Sequence, residues 1–219
     1  MAESNMRKEE KSGQRKWDGD AFEPPPFIWD ELENENPGKI CNNSLAKYEH
    51  NKGFLLQFLN QVFQIIPGER NITPIYDFIP AIKSYELDLI LLTYLLKSQP
   101  IPIKGEMINE KQILGGEAFF RGPHRLNTAP IVEKFGEDEQ LFLSTGKELG
   151  GEAKDLGDAA VYFRVFPRVP VTLILWKKDD EFPAQVSVNF DVTISEHLPL
   201  DCIWAMIHVL SKWIVMISL

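Results

Sequence analysis

Cysteine is scarce: the 219-residue chain has two, Cys41 and Cys202, and neither sits in a C-x-x-C pair. A four-cysteine zinc or iron–sulfur site within one chain is therefore excluded. A disulfide between the two stays open, and a pair of reduced thiols in a cytoplasmic protein is the plainer reading. Cationic excess is also missing. The net charge is −9, which removes general attraction to DNA or RNA. G-x-S-x-G, Walker A, H-E-x-x-H and a G-x-G-x-x-G after a strand are all absent. So is the D-x-H-x-x-G of doubly wound cobalamin domains. The N-terminus has charges but no apolar stretch behind them, so no secretory signal is expected, and the sequons at Asn42 and Asn71 carry no weight.

What is present describes a globular protein: 44% of residues are hydrophobic and 25% charged. Residues 1–20 are polar and mixed in charge, the pattern of a disordered tail. Residues 21–38 form a Pro-rich arm. Its Pro24-Pro25-Pro26 favours polyproline II, with Phe22, Phe27 and Trp29 pinning it to the rest. Residues 39–219 are expected to form one domain. Within it, a short helix is expected over 39–48, and a hairpin over Gly53–Ile66 with Asn60-Gln61 as its turn. Ser84 caps a helix with Leu87, Ile90, Leu91, Tyr94 and Leu95 at helical spacing. Two short helices cover Ala129–Phe135 and Glu137–Leu149, and Gly150-Gly151 stops the second.

The pattern then changes period. Ala159–Phe166, Val169–Trp176 and Ala184–Asp191 are β-rich and divided by turn sequences, which predicts a three-stranded antiparallel meander. The apolar C-terminal segment reads as a core helix with a wet stripe of Asp201, His208, Ser211 and Lys212. A membrane span is not expected, because a lipid-facing helix would not carry that stripe unsupported. The fold class is α+β: an antiparallel sheet, from the meander and the N-terminal hairpin, packed against helices.

Two stretches offer chemistry. The segment GGEAFFRGPHRLNTAP, Gly115–Pro130, combines glycines, aromatics, arginines and one of four histidines, and resembles neither a regular helix nor a regular strand. Gly122 lets backbone come close to a ligand, Arg121 suits carboxylate, phosphate or amide groups, and Phe119 and Phe120 offer flat apolar surface. His124 would be a metal ligand or hydrogen-bond donor. The alternative is an ordered structural loop whose phenylalanines plug the core and whose Arg121 pairs with an acid. The second stretch is Phe190–Asp201. There His197 is either a ligand or acid–base group, or a helix-entry histidine bonded to the strand end.

GGEAFFRGPHRL, then GDAAVYFRVFPRVPVTLILWKKDDEFPAQVSVNFDVTISEHLPLD, resembles the family catalogued as domain of unknown function 3786 over roughly residues 40–217. The resemblance implies an origin in anaerobic bacteria or archaea. Some members carry an added four-cysteine iron–sulfur module similar to those of corrinoid-handling proteins, and this chain lacks it. By that association the chain is expected to bind a corrinoid (cobalamin) or another tetrapyrrole in anaerobic one-carbon metabolism, among corrinoid or one-carbon pathway proteins. His124 would be the axial ligand and His197 the second choice, Arg121 would meet an acidic or amide group, and Phe119, Phe120 and Trp176 would line the apolar face. Two alternatives stand beside it: a cofactor-free accessory protein, and an acid–base enzyme using His124 or His197.

Overall fold

Pro26 decides how the visible chain begins. A computed structural model describes residues 23–76 and 84–218; the expected tail over 1–20, and Phe22, lie outside them. The triple proline does not continue as polyproline II. Pro25 is extended, and Pro26 opens helix α1, Pro26–Asn34. Proline loses nothing at the first helical position, where an N–H would have no intrahelical acceptor. α1 buries Ile28, Trp29 and Leu32 on one face, while Phe27 on the other is 65% exposed. Of the two described aromatics, Trp29 alone pins the arm. Helix α2, Pro37–Ser44, is capped by Asn36, whose Oδ1 accepts from the Gly38 and Lys39 amides. It ends earlier than expected because Leu45 turns left-handed (φ 60°), and the chain enters strand β1, Lys47–Glu49.

β2, Gly53–Phe58, β3, Gln61–Ile66, and β4, Asn71–Pro74, complete a four-stranded antiparallel sheet in chain order. The predicted hairpin is there, turning at Leu59-Asn60, one residue before the expected pair. Leu59 takes φ 54° and donates its amide to the Val165 carbonyl at 2.8 Å, tying this sheet to the next one.

Helix α3, Tyr85–Lys97, starts at Ser84, whose hydroxyl accepts from the Leu87 amide. Then come β5, Met107–Asn109, α4, Gly116–Phe119, α5, Ala129–Phe135, α6, Glu139–Glu148, and β6, Glu152–Lys154. β7, Ala159–Phe166, β8, Val169–Trp176, and β9, Gln185–Asp191, form the expected meander, and helix α7, Leu200–Ile217, closes the chain. The second sheet is antiparallel, in the order β5-β9-β8-β7-β6. The fold is α+β, with two sheets where one was expected.

Pairs Val171–Phe190, Leu173–Val188 and Leu175–Val186 share one face of the second sheet. α6 packs on it closely: a Cβ at Gly146 would strike the Val161 side chain. α7 lies against α3, α5 and α6. It is long and apolar enough to cross a membrane, and just over half of it is buried within the protein. Its wet edge is narrower than expected. His208 and Lys212 both reach Glu86 on α3, at 2.8 and 3.4 Å, but Ser211 is buried. One contiguous core spans both sheets, with the Phe58 ring edge-on to Phe166 and to Trp213.

Candidate functional site: a cleft beside an open strand edge

The Gly115–Pro130 segment is more regular than its composition suggests. Gly115 (φ +77°) caps α4, and a 3-10 turn follows at Gly122–His124. The double glycine has a steric cause. A side chain at Gly116 would run into the Glu110 carbonyl, so the turn closes only around glycine. α4 and this turn form one wall of a cleft of about 1050 Å³. α5 contributes Val132 and Glu133 to it, and Ala184–Val188 runs along its side.

The cleft's charges balance. Lys111, Arg121 and Arg125 line it together with Glu110, Glu117 and Glu133. Arg121 is paired with Glu117 at 2.8 Å, both well exposed, so this ion pair adds little to stability. Phe120, almost fully buried, supplies apolar wall.

The strand beside the cleft is incomplete. β5 pairs with β9 through Met107↔Asp191, Ile108↔Phe190 and Asn109↔Asn189, and there it stops. From Val188 back to Gln185, β9 has β8 on one side and, among the described residues, no strand on the other. The Val192 amide donates to the Glu106 carbonyl across the β5 side. Backbone groups alternate along a strand, so those of Phe190, Val188 and Val186 point the same way. Val186 therefore turns its N–H and C=O toward the cleft, and no described residue bonds them from that side.

Asp191 sets where β5 begins. Its carboxylate accepts from the Gly105 amide at 2.6 Å, the Lys104 amide at 3.3 Å and both donors of Thr193. Burial pushes its pKa up, but the bonds from Thr193, Gly105 and Lys104 outweigh it and hold the carboxyl below its ordinary range.

The residues singled out from sequence divide. Phe120, Arg121 and Gly122 line the cleft; Phe119, His124, Trp176 and His197 do not. The His124 ring is exposed and stacks on Phe119 at 4.7 Å, with Trp204 edge-on at 6.2 Å. Trp176 is 43% exposed at the end of β8, where its indole N–H donates to Ser187 at 3.1 Å.

His197 is fully buried, 3.1 Å from the Ser98 hydroxyl through Nδ1. That hydroxyl donates to the Asn43 carbonyl at 3.3 Å. It therefore accepts from Nδ1–H, which leaves Nε2 a bare buried acceptor without a partner among the described residues. Burial first, and the nearby Arg168 charge second, push the ring down from 6.5 to about 4, against a smaller opposite pull from Asp191. His197 is thus a neutral core residue bonded to the end of α3, and not to the strand end. No described group of three or more metal-binding side chains comes together anywhere.

Pro167-Arg168 forms the turn expected between β7 and β8, and Arg168 has a further part that the sequence does not announce: it spreads its guanidinium over the carbonyls of Asn43 (2.6 Å), Asn42 (3.1 Å) and Ile101 (3.1 Å), a cation at the negative end of α2. Sequence reasoning also missed Arg125, Val132 and Val186, whose importance comes from position beside the edge.

Fold and site together define an α+β protein of two antiparallel sheets, with a mixed-charge cleft along an open strand edge. Within that class, the chain belongs to the family described as Domain of unknown function (DUF3786), whose model matches residues 36–213. No curated protein and no solved structure matches it.

Proposed function

We propose that this chain is a cofactor-free accessory protein that captures an extended segment of a partner polypeptide, which adds as a strand to β9. The observation that carries this reading is the open edge of β9 at the cleft, with the Val186 backbone groups directed into it. Peptide backbone is the ligand that complements such an edge, and strand addition is a recurring mode of protein recognition. Sheet edges are usually covered or blunted. This one is flanked by α5 and the 110–128 segment, and the balanced charges of the cleft favour neither anions nor cations.

The test is a library of random nine-residue segments, displayed and selected on the purified protein. Val186→Pro should abolish binding of the selected segments. Its N–H faces the open side, so proline there breaks no ladder bond within the sheet and the melting temperature should stay close to wild type. Backbone N-methylation of the bound peptide should act in the same way. Selected segments that bind equally well to Val186→Pro and after N-methylation would overturn the reading.

A tetrapyrrole, corrinoid or haem, is the second reading. It is favoured by the presence of Phe120, Arg121 and Gly122 in the cleft, whose volume has room for a macrocycle. No described histidine lines the cleft, so an axial ligand from His124 would require its ring to leave Phe119. Protein mixed with cobalamin or haem and then desalted should retain a chromophore on this reading. Colourless protein from both mixtures would end it.

A further inference from the structure

We infer that the captured segment is the amino-terminal end of a partner polypeptide, with its α-ammonium group against the Glu110 carboxylate. This inference rests on the strand-addition reading and narrows it to one end of the partner chain and one direction.

The open edge of β9 is closed off at one end. β5 pairs last at Asn109↔Asn189, and the next position, opposite Val188, belongs to Glu110. The chain turns there. The Gln112 amide donates to the Asn109 carbonyl, the Lys111 amide to the Asn109 side chain, and the Asn109 amide to the Gln112 side chain. Val188 itself is 3% exposed. A segment lying opposite Val186 therefore cannot run on toward Val188, because this turn stands in its way. In the other direction Gln185 and Ala184 both line the cleft, so the edge stays accessible to where β9 begins.

A strand that stops short against a wall places a chain end there. Antiparallel pairing is the more stable per residue. A segment antiparallel to β9 runs in the same direction as β5, so it begins beside Glu110 and leaves toward Ala184. The end at the wall is then the amino end.

The charge at the wall agrees. Six charged residues line the cleft: Glu110, Lys111, Glu117, Arg121, Arg125 and Glu133. Glu110 alone of the six is half-buried, and the other five are exposed. Glu117 is occupied by Arg121. The Glu110 carboxylate has no ion-pair or hydrogen-bond partner among the described residues. A carboxylate withdrawn from water is screened less than an exposed one and holds a cation more firmly. A carboxyl terminus would need Lys111 or Arg125 instead, and water screens both of them. Capture of a terminal amine is a recurring mode of peptide recognition.

The selected nine-residue segments supply the test, with the library displayed at the free amino end of its carrier. Each segment is resynthesised free, N-acetylated, extended at its amino end by two residues, or amidated at its carboxyl end. Acetylation and extension should each weaken binding about tenfold or more, the worth of a charge-assisted hydrogen bond. Amidation should change nothing. In Glu110→Gln, free and acetylated segments should bind alike, at a melting temperature close to wild type because the carboxylate has no bond to lose. Raising the pH from about 7 to about 9 should weaken the free segment and leave the acetylated one unchanged, since an α-ammonium group loses its proton near 8. If N-methylation and Val186→Pro abolish binding while acetylated and extended segments bind as well as free ones, strand addition stands and the amino-end inference falls. A loss on amidation alone would reverse the direction of the segment and overturn it as well. If neither N-methylation nor Val186→Pro affects the selected segments, the strand reading fails and takes this inference with it.

Discussion

At His197 burial has taken the charge away from a titratable ring. The unfolded chain binds a proton there near the ordinary 6.5, whereas the folded ring declines it until about 4. Folding stability from this group is therefore complete above pH 6.5, falls as the pH drops toward 4, and is flat below that. The full loss is about 3 kcal/mol at most, from 1.36 kcal/mol for each unit between the two states. Carboxylates titrate in part of the same window, so the measurement is a difference. Urea unfolding of wild type and His197→Asn at pH 7.5, 5.5 and 4 should show the wild type losing more on acidification. Parallel slopes would refute the assignment. The histidine that sequence reasoning preferred, His124, is exposed and stacked on Phe119. Composition announced both rings and could not say which one faced solvent, since that depends on tertiary packing: His124 lies beside Trp204 of α7, and His197 beside Ser98 at the end of α3. Phe120, Arg121 and Gly122 were legible because glycine, arginine and phenylalanine crowd together. The open edge was not, because an unpaired backbone leaves no mark on its own residues.

Among elements, α3, α5, α6, α7 and the meander could be read directly. Each has apolar spacing of a definite period and most have a cap or turn residue at the end, such as Ser84 before α3 or Gly150 after α6. β5 and β6 could not: three residues, most of them exposed, have no period, and these strands exist because a longer neighbour pairs with them. Of the three anchors expected for the arm, Trp29 is buried, Phe27 is not and Phe22 lies outside the described residues, and the backbone from Pro26 is helical. Trp29 packs inward and Phe27 outward because two residues along a helix turn side chains to opposite sides, about half a turn apart, whereas in a strand-like extended segment residues i and i+2 share a face. A paired substitution tests this. Trp29→Ala should cost about 3–5 kcal/mol, the range for a large buried aromatic. Phe27→Ala should change stability by less than about 0.5 kcal/mol. Equal effects in chemical denaturation would show that α1 does not sit on the core through this face.

For the whole molecule, the question is whether the two sheets unfold as one. They are joined where the β2–β3 hairpin turns: the Leu59 amide reaches the Val165 carbonyl of β7, and the Asn60 side chain donates to the Glu148 carbonyl at the end of α6 at 2.7 Å. Beside this joint the Phe58 ring, fully buried, stands edge-on to Phe166 in β7 at 5.1 Å and to Trp213 in α7 at 5.3 Å. Tyr94 of α3 stacks on the other partner, Phe166, at 4.2 Å. A residue of the first sheet thus completes the aromatic core of the second, and neither sheet keeps that core intact alone. Unfolding in urea should accordingly follow a single transition, with tryptophan fluorescence and far-UV circular dichroism superimposing. Phe58→Ala should lower the unfolding free energy by about 3–5 kcal/mol in both signals together. Its denaturant slope should match wild type, because the same surface is exposed when one unit opens. Two separated transitions in the wild type, or a Phe58→Ala variant in which one signal shifts while the other keeps its midpoint, would mean that each sheet has a core sufficient for itself.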